Sequence, residues 1–177
     1  MGHRQISGLK WAREHAGRPE GIPVGRPRGA KRQGVKYERD LAKAIGSAAW
    51  HGKWFEFVDA NGHGWCQPDF LMRVGENIVI LEAKYTWVPE ARGQVLQLYK
   101  PVVEATYGLR AVGVTVCKNL VSGMANCRVT GDLAEAIRWA LTARGPEVVW
   151  QWLAGPAFGA SAPSHVDAGD GFTLASL

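Results

Sequence analysis

Apolar residues recur along this chain with two different periods, and the alternation between them predicts its elements. From Val35 to Ala49, Tyr37, Leu41, Ala44, Ile45 and Ala48 fall on one stripe of a helix. Glu38 lies on the flank of that stripe, and Asp40 nearer the outer, solvated face. Trp54 to Val58 reads as a strand, and Asp59 to Gly64 as a turn. Two further strands, Trp65 to Val74 and Asn77 to Tyr85, form a hairpin through Gly75 and Glu76. The run Ile78-Val79-Ile80-Leu81 is continuously apolar, as in a central strand covered on both faces.

Pro89 suits the first turn of a helix that reaches Tyr107. Its inner face is Val95, Leu98, Tyr99, Val102 and Thr106. Pro101 should kink it, because the backbone bond to the Gln97 carbonyl is lost. Ala111 to Cys117 is the next strand. Asp132-Leu-Ala-Glu135 is a capping box opening a helix with Leu133, Ala136, Ile137, Ala140 and Leu141 inward. That helix stops at Gly145-Pro146. The pattern predicts an α/β domain over residues 34–152. Beyond it, residues 153–177 are rich in Gly, Ala, Ser and Pro and read as a disordered tail.

Residues 1–33 break the pattern. Arg4, Lys10, Arg13, Arg18, Arg26, Arg28, Lys31 and Arg32 stand against only Glu14 and Glu20. This is the composition of a mobile basic arm, with at most a short helix from Leu9 to His15. Such an arm either grips a phosphate backbone or is a solvated tail. The chain of 177 residues carries a net charge of +5, which favours a polyanionic partner. Three scattered cysteines, Cys66, Cys117 and Cys127, fit buried thiols in a reducing cytoplasm better than a disulfide framework. No CxxC pair supports zinc at Cys66 and His63. No apolar run approaches the roughly 18 residues of a membrane span, so no membrane role is expected.

Chemistry enters where the hairpin ends. Side chains at i and i+2 of a strand share a face, so Glu82 and Lys84 point the same way and the hairpin brings Asp69 beside them. Two carboxylates converging beside a lysine can hold a divalent cation and an activated water for phosphodiester hydrolysis. The bland reading makes Asp69 a turn residue and Glu82 with Lys84 a surface ion pair. Against it, both charges continue an apolar strand, where charge is costly unless paired or metal-bound.

Pro68-Asp69 followed by Glu82-Ala83-Lys84 resembles the signature of the PD-(D/E)XK nuclease superfamily, and the element order αβββαβα over roughly residues 34–144 resembles its core. The resemblance implies a restriction-endonuclease-like fold, a central mixed four-stranded sheet flanked by helices. It implies Mg²⁺, with Mn²⁺ as a substitute, held by Asp69, Glu82, the Ala83 carbonyl and Glu38. Lys84 would orient the attacking water and stabilise charge in the transition state, leaving a 5′-phosphate end. Gly34 to Leu41, with Glu38, is similar to the helix motif of archaeal-type Holliday junction resolvases. Gln94-Val-Leu-Gln97-Leu-Tyr99 resembles the helix of RecB-like members that contacts substrate or holds the lysine.

The function so implied is a Mg²⁺-dependent DNA endonuclease, with branched DNA as its leading specific substrate. An exonuclease or restriction-like enzyme, and a non-catalytic nucleic-acid-binding module, are the alternatives. DNA contacts are expected from Gln94, Gln97, Arg26, Arg28, Lys31, Arg32 and Lys36. The small size resembles stand-alone phage nucleases, implying a homodimer working in the host cytoplasm.

Overall fold

A computed structural model describes residues 4–23, 28–142 and 145–153. In chain order the elements are β1 (Trp11–His15), α1 (Ala30–Ile45), β2 (Trp50–His51), β3 (Trp54–Asp59), β4 (Gly62–Cys66), β5 (Phe70–Val74) and β6 (Asn77–Thr86). Then come α2 (Glu90–Gln94), a π turn (Val95–Tyr99), α3 (Lys100–Tyr107), β7 (Arg110–Asn119), β8 (Cys127–Thr130), α4 (Leu133–Thr142) and β9 (Glu147–Gln151). The fold is mixed α/β.

The main sheet has six strands in the order β2-β5-β6-β7-β9-β8, not four. β5 pairs antiparallel with β6, and β6 pairs parallel with β7, so the sheet is mixed. β6 is its centre, and Ile78 to Leu81 are at most 1% exposed because both faces are covered. Val79 and Leu81 pack with Tyr37 and Leu41 of α1 and Ile137 of α4. Ile78 and Ile80 pack on the other face with Val95, Leu98 and Val102. Burial of these side chains on both faces, at about 1.5–3 kcal/mol each, is what fixes the register of β6.

The departures from the sequence reading have local causes. The predicted strand Trp65 to Val74 is two strands in two sheets, because β4 belongs to a three-stranded sheet β1-β3-β4. Pro68 marks the break, having no N–H to continue the ladder. The crossing is tied down by Gly52 N–H to the Asp69 carbonyl (2.9 Å) and by Gln67 Nε2 to the Gly52 carbonyl (2.8 Å). The predicted turn Asp59 to Gly64 is tighter, with β4 already begun at Gly62.

The predicted short helix near Leu9 to His15 is a strand instead, paired antiparallel with β3 from Trp11↔Val58 to His15↔Trp54. An open edge of β3 offers a ladder to a segment too short for a stable free helix. The segment is also latched by Arg4, whose guanidinium meets the buried Asp59 carboxylate at 2.5 Å. α1 begins five residues before Val35, since Ala30, Lys31, Arg32 and Gln33 favour helix without needing to be buried.

Pro101 does not simply kink its helix. The strain is taken up by the π turn just before it. The Asp132 carboxylate caps α4 by accepting the Glu135 N–H at 2.9 Å, while the Glu135 carboxylate accepts the Thr130 hydroxyl at 2.5 Å rather than reaching back to Asp132. Among the described residues no helix is long and apolar enough to cross a membrane. Arg26 and the predicted tail beyond Leu153 lie outside the described residues.

Candidate functional site

Asp69 sits at the entrance to β5 and Glu82 and Lys84 near the end of β6, on the face shared with the π turn. Asp69 Oδ2 accepts the Ala83 N–H at 2.8 Å, which locks the aspartate against the neighbouring strand. Glu82 is 1% exposed, one of few buried acids in the molecule. Its Oε1 accepts from Lys84 Nζ at 2.5 Å, while its Oε2 is buried with no hydrogen-bond partner among the described residues. Lys84 keeps 29% of its side chain exposed, so its ammonium spans from the buried acid to solvent.

The charges act on one another. Burial pushes the Asp69 carboxyl well above the usual carboxylate range, and the Glu82 and Glu38 charges push it further than the Ala83 N–H and Lys84 pull it back. Burial also raises Glu82; Lys84 opposes this, and Glu38 adds to it. Burial works against the Lys84 ammonium, but Glu82, Asp69 and Glu38 outweigh it and hold its pKa above the ordinary lysine value. A buried acid, Glu82, and a half-buried one, Asp69, that resist ionising together make a locus that attracts a cation.

Glu38 projects from α1 toward this locus, and its carboxylate is bonded to His51 Nε2 at 2.9 Å. His51, on β2, lies against the Phe70 ring at 4.8 Å. Glu38 thus influences Asp69 and Glu82 through charge while its own oxygen is engaged elsewhere. Among the described residues, no three His, Cys, Asp or Glu side chains are gathered closely enough to hold a metal ion. The residues that converge are Asp69 and Glu82, with Lys84 between them and solvent.

Gln94 and Tyr99 line the site from the helix side. Residues five apart diverge on an α-helix, but the π turn swings Tyr99 under Gln94, and the amide Nε2 donates to the phenol oxygen. Burial and then the charges of Glu82 and Asp69 raise the Tyr99 phenol, which places it beside both acids. Gln94 Oε1 is a second buried acceptor without a partner. The approach depends on Gly113, where an added Cβ would meet Val95 Cγ1 at 2.4 Å. Gln97, in contrast, is exposed.

The sequence reading overlooked His51, Gly113 and Glu147, and it placed Tyr99 both on the inner face of its helix and in the run that resembles a substrate-contacting motif. Glu147 is 8% exposed and accepts the Thr115 hydroxyl at 2.6 Å and the Trp87 Nε1–H at 3.3 Å. Thr115 pairs in register with Glu82, so a polar row crosses the sheet. A single Gly in the run Ala111-Val-Gly113-Val was the one available signal for the close helix approach.

Elsewhere the structure separates what the sequence left open. His63 lies on β4, bonded to Glu56 at 2.8 Å, and Cys66 is buried, so the two are not paired as ligands. Arg92 donates to the Gly145 carbonyl, and Lys100 to Glu104 and the Ala111 carbonyl. Trp150 is core, Trp50 stacks on Tyr107 at 6.1 Å, and Trp54 and Trp65 are partly exposed on the small sheet. Arg28, Lys31, Arg32 and Lys36 are exposed at and along the start of α1. No family model matches the chain, and no curated protein and no solved structure matches it.

Proposed function

We propose that this chain is a metal-dependent nuclease of the PD-(D/E)XK type, hydrolysing phosphodiester bonds in DNA. The observation that carries the reading is Glu82 Oε2, a carboxylate oxygen buried without a partner at the end of the central strand, beside Asp69. An orphaned buried acceptor costs about 1–3 kcal/mol, and a bound cation removes that cost. Asp69 and Glu82 supply hard oxygen donors of the kind Mg²⁺ takes, with the Ala83 carbonyl a third and waters completing the shell. Glu38, held by His51, fits a position reached through water.

When bound, the cation polarises the scissile phosphoryl group and lowers the pKa of the attacking water. Lys84 Nζ, fixed by Glu82 Oε1 and open to solvent, would donate to that water and to the phosphoryl oxygens on which negative charge grows. Ala83 N–H holds the Asp69 carboxylate in its orientation. Tyr99 and Gln94 close the inner wall and exclude bulk water. On this reading β5, β6 and β7 are three of the four strands of a restriction-endonuclease-like core, and the fourth, β3, pairs in the small sheet instead. A branched-DNA substrate and a paired dimer belong to this proposal as its most specific form.

The rival reading is a nucleic-acid-binding module without catalysis. It draws on the absence of a gathered three-acid group among the described residues. Linear duplex, single-stranded and four-way-junction DNA incubated with Mg²⁺, Mn²⁺ or EDTA separate the two. Cleavage should need the metal and fall about a thousandfold in Asp69→Asn and Lys84→Ala, since several kcal/mol of transition-state stabilisation are lost. Cleavage that persists in EDTA or in either variant refutes the mechanism. Binding without cleavage under every metal condition favours the module.

A further inference from the structure

We propose that the exposed face of α1, continued by Lys118, is a track for the sugar–phosphate backbone of duplex DNA. The inference rests on the nuclease reading and adds where its substrate lies. Arg32, Lys36, Arg39 and Lys43 stand four, three and four residues apart, so they share one stripe of the helix. All four are exposed, and none forms an ion pair among the described residues.

Of these charges only Lys43, in the last turn, suits the helix dipole; Arg32 stands in a first turn with no acidic residue and no side-chain cap, where a cation opposes the dipole by about 0.3–1 kcal/mol. The opposite face of α1 is buried through Tyr37, Leu41 and Ile45, so the helix has no free apolar side to lay into a lipid surface. What is left is a row of cations about 16 Å long, at 1.5 Å per residue. That length faces several charges of a strand that carries one per about 3.4 Å.

A second, independent feature lies on the flank of the stripe. A cavity of about 300 Å³ is lined by Gln33, Lys36, Asp40, Tyr85, Lys118 and Trp152, with Tyr37 and Leu153 closing it. The Trp152 Nε1–H beside it is buried and has no acceptor among the described residues. Lys118 Nζ lies 5.6 Å from the Tyr85 ring centroid, which holds the ammonium at the rim. Two ammonium groups, an amide and an unsatisfied indole N–H outweigh the one carboxylate of Asp40 and fit a phosphate oxygen.

The test is fluorescence anisotropy of a labelled duplex with the full chain in EDTA, from 50 to 200 mM salt. Arg32→Gln/Arg39→Gln/Lys43→Gln should lower the slope of log affinity against log salt by about 2.7, and Lys118→Gln by about 0.9. The control, Arg73→Gln/Arg128→Gln, removes exposed charge from the sheet edges and should leave the slope unchanged. A wild-type slope in either test variant overturns the track, as does an equal loss in the control. Because no metal is present, the result is independent of catalysis. Loss of binding with no cleavage under any metal would remove the nuclease reading and leave the track.

Discussion

The Gln97 carbonyl accepts the Ile6 N–H at 2.9 Å. Pro101 has no N–H to return to Gln97 along the helix, and the N-terminal segment supplies the missing donor. One imino acid thereby ties residues at the start of the chain to the helix that carries Gln94 and Tyr99. The same segment is held at Asp59 by Arg4 and paired to β3 through β1.

Removing that donor should loosen the helix without touching the acids. Ile6→Pro is expected to cost about 1–2 kcal/mol in urea unfolding, the usual penalty for stranding a polar group. Unchanged stability would mean that water serves the Gln97 carbonyl equally well. Deleting residues 1–33, in consequence, removes structure as well as charge.

Asp59 should make this docking sensitive to acid. Burial raises its carboxyl, but the hydrogen bond from Arg4 and the N–H groups of Ser7 and Asn61 outweigh burial and hold its pKa below the ordinary aspartate value. A depressed folded-state pKa contributes stability that is present above the unfolded value, about 3.9, and is lost as pH falls through the folded one. Asp59→Asn should therefore be less stable than wild type at pH 7, with the gap closing below about pH 4. A gap independent of pH in thermal melts would assign the effect to packing instead.

At Asp69 and Glu82 the sign reverses. Their raised values mean that the folded chain binds protons the unfolded chain releases, so stability declines as pH rises from the ordinary carboxylate range through the raised one. In EDTA at pH 8, Asp69→Asn should melt at or above the wild-type temperature, while Lys84→Ala, which strands Glu82, should lose about 3 kcal/mol. Adding Mg²⁺ should raise the wild-type melting temperature and leave Asp69→Asn nearly unmoved. A melt of wild type indifferent to Mg²⁺ and Mn²⁺ would argue against a cation at this site.

Much of the scaffold was legible because it depends on local periodicity. The run Ile78 to Leu81 announced a strand buried on both faces, and Tyr37, Leu41 and Ile45 announced the inner stripe of α1. The spacing of Asp69, Glu82 and Lys84 followed from strand geometry, since a hairpin fixes which side chains share a face. β1, β2, β8 and β9 were not legible in this way. They are short or polar on one side, and they become strands only because an edge is there to pair with.

The sequence alone determined which residues are buried in the central hairpin and which charges continue it, because both follow from a period of two along one chain. Only the tertiary structure decided that Glu82 Oε2 is left unpartnered, that Glu38 is held by His51, and that Tyr99 turns under Gln94. Those relations join residues far apart in the chain, or depend on a π turn and on the missing side chain at Gly113. Pairing across such distances is set by how layers pack, and local periodicity carries no record of it.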